Sequence, residues 1–317
     1  MIFIPILKTK QTSEPKAIKE IICCFSDSII PYIEVTKSID NKIVQKIFNI
    51  LSGQDYFLEA VQNATLNPES ILPNQIPVIN LSKTSDKEDA INNLRNHSKY
   101  IGIRLKTGFP LIQISSLSER ISKDDYVFID IGEASYESSQ LYISTVKRIL
   151  LKSGCRIIII SDEHKKEFSG SNYEKDNFTE LFNTSVIAAI KNGSFQEEGF
   201  ASYCSAKNNL IDNRPIGASK LYAVFFIYNF GLNKFYVFKS SEKYHIGKAY
   251  SELRKELAND EEKKKIKELI KEGSKSEKMI NNLLMKEKAS ASAFIAISIV
   301  QYFEEIFSNL FDNSTLN

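Results

Sequence analysis

Short apolar runs alternate with helical patterns through the first two thirds of the chain, and this alternation constrains the fold most. The runs are rich in β-branched residues and continuously apolar, which is typical of parallel strands covered on both faces. They are Ile2–Leu7, Ile29–Val35, Tyr56–Val61, Ile76–Leu81, Tyr100–Leu105, Tyr126–Ile131 and Arg156–Ser161. The helical patterns between them are Glu14–Phe25, Lys42–Leu51, Asp86–Asn96, Leu117–Ile121 and Ser138–Lys152. Repeated strand–helix units predict an α/β fold with a parallel sheet.

Seven such strands fit either an open doubly wound sheet or a barrel that needs an eighth strand. The turn after the first strand contains neither GxGxxG nor GxxxxGK[ST], which a nucleotide-binding open sheet would usually offer. We therefore predict a TIM-like (β/α)8 barrel, with Ser185–Ile190 or Gly199–Cys204 as its eighth strand. The connection from Val61 to Ile76 is too irregular for a full helix, so we expect a partly degenerate barrel.

The pattern changes after residue 210. Two aromatic-rich runs, Leu221–Asn229 and Lys234–Lys239, flank a turn and predict a β-hairpin. Tyr250–Met285 is strongly helical with a break near Gly273, and Ala293–Phe311 carries an apolar stripe typical of an amphipathic helix. We predict two domains, a parallel α/β barrel over residues 1–210 and a β-hairpin plus helical region over residues 211–317 that packs on the barrel.

The overall charge is nearly balanced, because 41 Lys and Arg residues face 39 Asp and Glu residues. This balance excludes a histone-like polycation. The stretch Lys239–Lys288 has a local excess, with 14 basic and 10 acidic residues. A solvated helical face with i,i+4 ion pairs explains it, and a weaker alternative is a nucleic-acid-binding face.

The cysteines and apolar segments predict a soluble, cytoplasmic protein without a membrane span. Neither a CxxC pair nor a zinc pattern occurs among the cysteines, and the N-terminus has no basic leader followed by a cleavage site. The longest later apolar run, Ala293–Val300, is too short to cross a bilayer. The cysteines are Cys23, Cys24, Cys155 and Cys204.

Charged and polar residues follow nearly every predicted strand, at the end where a parallel barrel places its working residues. Glu34, Arg104 and Asp130 stand out because each lies inside an apolar run, where an ionised group must be paired or line a cavity. The full set at the strand ends is Lys8, Lys10, Glu34, Glu59, Gln62, Asn80, Arg104, Lys106, Asp130, Glu133, Asp162, Glu163 and His164.

Two interpretations of these residues remain open. In the first, a buried network of Arg104 and carboxylates closes the top of the barrel and is structural. In the second, the site is functional and suits a phosphate ester. The sequence does not decide whether a divalent metal serves as a cofactor there. The anion-binding residues would be Lys8, Lys10 and Arg104, and the catalytic acid/base groups or metal ligands would be Glu34, Glu59, Asp130 and Asp162.

Five short motifs, in order over about residues 1–240, resemble the phage beta-protein family of phages, prophages and bacterial mobile elements. In the last motif, Ser202 stands where a related subgroup has an acid. The motifs are Ile4–Gln11 followed by a helix with Glu14, Ile30–Glu34, Gly102–Leu105, Ile129–Gly132 and Gly199–Tyr203.

The resemblance implies a role in phage defence or a prophage module, sometimes beside a small nuclease-like protein, but no settled activity. Our leading hypothesis is a barrel with an anion- or phosphate-binding site that processes a phosphoester if it is catalytic. The alternative is a non-catalytic partner of a nuclease or phage protein that uses the region after Leu210. An exposed apolar stripe along Phe294, Val300, Phe303 and Phe307 would favour that alternative.

Overall fold

A computed structural model describes residues 1–9, 13–25, 28–36, 41–60, 67–132, 134–161, 170–181, 184–203 and 219–311. The strands are β1 (Ile2–Lys8), β2 (Tyr32–Val35), β3 (Tyr56–Ala60), β4 (Gln75–Asn80), β5 (Gly102–Lys106), β6 (Tyr126–Gly132), β7 (Arg156–Ser161), β8 (Asn177–Thr179), β9 (Gly199–Ser202), β10 (Lys220–Leu221), β11 (Val224–Asn229), β12 (Lys234–Lys239) and β13 (Tyr244–His245). The helices are α1 (Ser13–Phe25), α2 (Lys42–Ile50), α3 (Lys87–His97), α4 (Leu111–Leu117), α5 (Tyr136–Leu150), α6 (Ser185–Lys191), α7 (Ala249–Leu257), α8 (Asp260–Leu269), α9 (Lys275–Leu284) and α10 (Ala291–Leu310).

Eight parallel strands close into a barrel in the order β1-β2-β3-β4-β5-β6-β7-β9. The last strand closes it by pairing with both β7 and β1. This confirms the predicted TIM barrel. In the described part of the β3–β4 connection the helical segment is a single 3-10 turn, Pro68–Ser70, as expected for a partly degenerate barrel.

Of the two candidates for the eighth strand, Gly199–Ser202 forms it and Ser185–Ile190 lies in helix α6. The helix buries Val186, Ile187 and Ala189. At Gly199 the two backbones approach so closely that a Cβ atom would lie 2.4 Å from the carbonyl oxygen of Ile2. A glycine is therefore required where the barrel closes.

Every second residue of a barrel strand points inward, and these residues fill the interior. The aromatic rings of Tyr32, Phe57 and Phe128 contact one another there at centroid distances of 5.0–6.0 Å. The buried interior cluster comprises Ile4, Ile6, Tyr32, Phe57, Ile76, Val78, Tyr126, Phe128, Ile158, Ile160, Ala201 and Tyr203.

The chain divides into two compact units. The first contains the barrel and consists of Met1–Lys10, Phe25–Glu163 and Asn183–Tyr203. The second consists of Gln11–Cys24, His164–Phe182 and Cys204–Asn317. Two segments that precede residue 210 thus group with the C-terminal elements. Strand β8 pairs with β12, and Glu20 of α1 forms an ion pair with Lys275 of α9 at 2.7 Å.

The second unit contains the predicted hairpin, β11–β12, extended by β8 into a three-stranded antiparallel sheet. Helix α10 covers the free edge of β11. Gln301 accepts from the backbone nitrogen of Tyr228 and donates to its carbonyl oxygen, both at 2.8 Å, and Ser298 donates to Phe226 O at 2.7 Å. Side chains of α10 thus satisfy backbone groups that an open edge would leave to solvent.

The apolar stripe of α10 is not an exposed surface. Phe294, Val300 and Phe303 are fully buried, and Phe307 is half-buried. Helix α10 therefore does not present the exposed apolar stripe that would favour an interaction surface. Among the described helices, α10 is long and apolar enough to span a bilayer, but 61% of that apolar stretch is buried within the protein, as in a core helix.

The long helical pattern after Tyr250 breaks twice instead of once. Besides the break at Gly273, which has φ +77°, a break at Asn259 separates α7 from α8 because the Asn259 side chain caps α8 by accepting from Glu262 N. Lysines of this region form ion pairs with neighbouring acids, as Lys265 does with Asp176 and Glu262.

Candidate functional site

One layer of polar side chains occupies the carboxyl end of the barrel interior. Its members continue the inward-facing positions of the apolar cluster, so that Lys8 follows Ile6 and Asp130 follows Phe128 at steps of two residues. Tyr203 is the residue directly after β9. The layer comprises Lys8, Glu34, Glu59, Asn80, Arg104, Asp130 and Tyr203.

Arg104 lies at the centre of this layer and uses all five of its N–H donors. Nη1 donates to Glu34 Oε1 and Glu59 Oε2, both at 2.7 Å. Nε and Nη2 both donate to Asp130 Oδ2, at 3.1 and 2.6 Å, and Nη2 also donates to the Tyr203 hydroxyl at 2.8 Å. A guanidinium with every donor engaged is a fixed part of the site.

Strand register explains why an arginine is needed here. Glu34 and Glu59 are direct partners on the adjacent strands β2 and β3, and both are buried. Two buried carboxylates side by side repel each other unless a cation lies between them. Nη1 of Arg104 supplies that cation, and Asn80 donates to Glu59 Oε1 at 3.1 Å.

Two buried tyrosines complete the network as neutral donors. Tyr32 donates to Glu59 Oε2 at 2.6 Å, and Tyr203 donates to Glu34 Oε1 at 2.5 Å. Burial, together with the neighbouring carboxylates, raises the pKa of both hydroxyls well above the ordinary value. Both therefore keep their protons at neutral pH and stabilise the carboxylates that they contact.

The charges at the centre are fixed. Burial alone would raise the pKa of Glu34, but the charges of Arg104 and Lys8 and hydrogen bonds from Tyr203 and Arg104 outweigh it, so the pKa is lowered. Burial opposes the charge of Arg104, yet the acidic groups around it, the carboxylates of Glu59 and Asp130 among them, hold its pKa well above the ordinary value. Glu34 is ionised and Arg104 protonated at neutral pH.

Above this network lies a cavity of about 250 Å³, here called the mouth cavity. Its floor is formed by Glu34, Arg104 and Asp130, whose side chains are 4%, 9% and 15% exposed. Its rim contains exposed residues from the loops and strand ends. The lining residues are Lys8, Glu34, Thr36, Asn80, Ser82, Lys83, Arg104, Lys106, Asp130 and Tyr203.

Three lysines line the mouth cavity. Lys8 Nζ lies 3.6 Å from Glu34 Oε2 and 4.6 Å from the centre of the Tyr203 ring. Lys83 and Lys106 are exposed at the rim. Within the part of the chain that the structure describes, no carboxylate lies within ion-pair distance of Lys83 Nζ. The cavity therefore has basic groups at its rim and acidic groups at its floor.

The structure brings together five of the seven predicted site residues, namely Lys8, Glu34, Glu59, Arg104 and Asp130. The other two, Lys10 and Asp162, lie outside the described residues, as do Gln62, Glu133, Glu163 and His164.

Two of the predicted roles depend on whether the network opens. Arg104 was expected to hold an anion, but its five donors are already engaged by protein groups. Glu59 is buried within the network and does not line the mouth cavity. A direct contact of either residue with a ligand would require the network to open.

Sequence reasoning did not single out Tyr32, Tyr203 or Lys83. The signal for Tyr203 is its spacing, because it follows the inward-facing Ala201 by two residues. Tyr32 shows the same spacing before Glu34. Lys83 lies in the loop after β4, where no periodicity marks the direction of a side chain.

A divalent metal does not fit the carboxylates in this arrangement. Glu34, Glu59 and Asp130 direct oxygens at the guanidinium of Arg104, so the cation that they surround is the protein's own. Among the described residues no group of three or more His, Cys, Asp or Glu side chains could hold a metal ion.

No protein-family model matches the chain, and no curated protein matches it either. Among solved structures, an open form of tryptophan synthase from M. tuberculosis aligns with a TM-score of 0.39 and 8% identity, over 64% of this chain and 82% of that chain. A variant of the tryptophan synthase alpha-subunit from the hyperthermophile Pyrococcus furiosus aligns with a TM-score of 0.40 and 9% identity, over 64% and 86%. The closed order of eight parallel strands in this chain identifies it as a TIM barrel.

Proposed function

We propose that the protein binds a small phosphate ester or a similar anion in the mouth cavity. The observation that carries the proposal is the placement of Lys8, Lys83 and Lys106 around one cavity at the carboxyl ends of the barrel strands. This is the end at which TIM barrels bind their ligands. A volume of about 250 Å³ suits a small molecule better than a polymer.

The lysines are suited to an anion because the described basic residues of the cavity outnumber the carboxylates of the network. Counting Glu34, Glu59 and Asp130 against the four basic residues of the cavity leaves one positive charge in excess. Each lysine ammonium is a mobile donor that can follow phosphate oxygens, whereas Arg104 stays fixed on its carboxylates. In this proposal the lysines bind the ligand, and Arg104 keeps the carboxylates of the floor in place.

The same cavity supports phosphoester processing as the reaction. Asp130 is the most exposed of the three carboxylates and lines the cavity with Lys106. A carboxylate beside a lysine-bound phosphate can accept a proton from a water that attacks the phosphorus, while the ester P–O bond breaks and its oxygen leaves with the alcohol group. The lysines stabilise the charge that develops on the phosphoryl oxygens. Asp130 is the candidate base, and Glu34, whose pKa is lowered, serves as a fixed negative charge.

Binding is tested by calorimetric titration of methyl phosphate at constant ionic strength. The wild type is compared with Lys83→Met and with Lys46→Met, a matched control in which an exposed lysine of helix α2 is replaced. Removing one charge-assisted contact is expected to weaken binding about tenfold in Lys83→Met and to leave Lys46→Met unchanged. Equal affinity in all three proteins, or no binding by the wild type, contradicts the proposal.

The reaction is tested by the release of p-nitrophenol from p-nitrophenyl phosphate. Asp130→Asn keeps the shape of the side chain and is expected to lower the rate at least tenfold while methyl phosphate still binds. A wild-type rate equal to the background limits the proposal to binding. The cytoplasmic location and the phage or prophage setting remain predictions, and a plaque assay in cells expressing wild type or Asp130→Asn tests the latter.

A further inference from the structure

We propose that the anion recognised by the mouth cavity carries hydroxyl groups, so that its ligand is a phosphorylated polyol or sugar rather than a bare phosphate. This inference rests on the proposed function. It comes from the charge of the cavity, which is positive at the rim and negative at the floor.

The floor is acidic, and a phosphate group is repelled there. Arg104 and Lys8 offset only two of the charges of Glu34, Glu59 and Asp130, which leaves one negative charge at the floor. The two further lysines of the cavity, Lys83 and Lys106, are at the exposed rim. An anionic group is therefore stabilised at the rim and destabilised at the floor.

The floor also offers acceptors. Oε1 of Glu34 accepts from both Arg104 and Tyr203, whereas the contact of Oε2 is Lys8 at 3.6 Å, which is longer than a hydrogen bond. Oδ1 of Asp130 accepts one hydrogen bond, from Gly132 N at 3.0 Å. Both carboxylates line the cavity, and Glu34 Oε2 and Asp130 Oδ1 retain acceptor capacity. The part of the ligand that reaches the floor must donate hydrogen bonds.

A hydroxyl group fits this floor better than an ammonium group. An ammonium donates only and would lie beside the like charge of Lys8. A hydroxyl can donate to Glu34 Oε2 and at the same time accept from Lys8 Nζ. Asn80, Ser82 and Thr36 add further polar groups between floor and rim. A chain with a phosphate at one end and hydroxyls at the other matches this gradient.

The test compares four probes by calorimetric titration of the wild type, namely methyl phosphate, glycerol 3-phosphate, O-phosphoethanolamine and glycerol. One hydrogen bond to an ionised acceptor predicts that glycerol 3-phosphate binds about tenfold or more tightly than methyl phosphate. Glycerol alone should bind too weakly to measure, since it lacks the group held by the rim lysines.

Other outcomes overturn the inference separately from the proposed function. Equal binding of methyl phosphate and glycerol 3-phosphate removes the hydroxyl assignment and leaves the anion site standing. Tighter binding of O-phosphoethanolamine than of glycerol 3-phosphate would show that the floor binds an ammonium group, and it would overturn the hydroxyl assignment as well. Failure of all three phosphates to bind overturns both.

Two variants locate the preference on the floor. Glu34→Gln and Asp130→Asn each replace one acceptor oxygen by a donor, and Asp130→Asn disturbs the network less because Asp130 is the more exposed. In the variant that remains folded, the ratio of the affinity for glycerol 3-phosphate to the affinity for methyl phosphate should fall severalfold. An unchanged preference in a folded Asp130→Asn protein places the hydroxyls elsewhere and contradicts the inference.

Discussion

Tyr203 and Glu34 lie 169 residues apart in the chain, and the hydroxyl of the tyrosine donates to Oε1 of the glutamate at 2.5 Å. Both groups also accept from Arg104. The contact joins the residue that follows the last barrel strand to the second strand. Closure of the barrel therefore assembles the candidate site. A variant that disrupts the floor should accordingly also lower the free energy of unfolding.

Arg104→Met is expected to lower the free energy of unfolding by about 3–5 kcal/mol, because it leaves the buried carboxylates of Glu34 and Glu59 side by side without a cation. The matched control is Arg120→Met, which removes an exposed ion pair with Glu88 and should cost less than about 1 kcal/mol. Guanidinium denaturation measures both. Similar losses in the two variants would show that the network contributes no more than a surface ion pair.

The stability of the barrel should fall in acid through Glu34. The folded-state pKa of this carboxyl is lowered, so its contribution is complete above the unfolded value of about 4.3 and is lost as the pH falls through the folded value. Glu34→Gln should therefore show a shallower decline of the unfolding midpoint below about pH 4.3 than the wild type.

Glu88→Gln is the control for this titration, since Glu88 is exposed and pairs only at the surface. It should keep the wild-type slope. A Glu34→Gln protein whose midpoint declines as steeply as that of the wild type would place the acid sensitivity in other groups.

Gly199→Ala is expected to destabilise the protein by about 1–3 kcal/mol, because the added methyl group would meet the backbone of Ile2 where the barrel closes. Gly247→Ala is the comparison. A Cβ there would lie 3.7 Å from His245 Nδ1, an ordinary contact. Thermal unfolding of both variants checks the prediction, and equal midpoints would contradict the close approach of β9 and β1.

Gln301→Met should lower the free energy of unfolding more than Ser298→Ala. The first removes two hydrogen bonds to the backbone of Tyr228 at a buried strand edge, at about 0.5–1.5 kcal/mol each. The second removes one hydrogen bond, to Phe226 O. Urea denaturation gives the order, and the reverse order contradicts the prediction, while negligible losses in both variants would mean that α10 is held to β11 by apolar packing alone.

Much of the barrel could be predicted from the sequence, because buried parallel strands are continuous apolar runs that are separated by polar residues. The ambiguity of the eighth strand had a physical cause. Ser185–Ile190 and Gly199–Cys204 are both short and apolar, and periodicity cannot distinguish a buried strand from one turn and a half of buried helix. The pairing of Gly199 with both Ile2 and Ile158 decides it, and that pairing is long-range.

The site was predictable where a charge lies inside an apolar run, as for Glu34, Arg104 and Asp130. The sequence left open whether these charges face each other, since that depends on strand register. It also could not show that Arg104 is fully engaged by the floor, so that Lys8 and the loop residue Lys83 are left to face a ligand.

The central claim is that an anion binds at the lysine rim above an intact floor. Soaking crystals of the protein with tungstate, a phosphate mimic with strong anomalous scattering, tests it most directly. We predict an anomalous peak in the mouth cavity within hydrogen-bonding distance of Lys83 or Lys106, with Arg104 still bound to Glu34 and Asp130. An empty mouth cavity, or an anion that displaces these carboxylates from Arg104, would contradict the account.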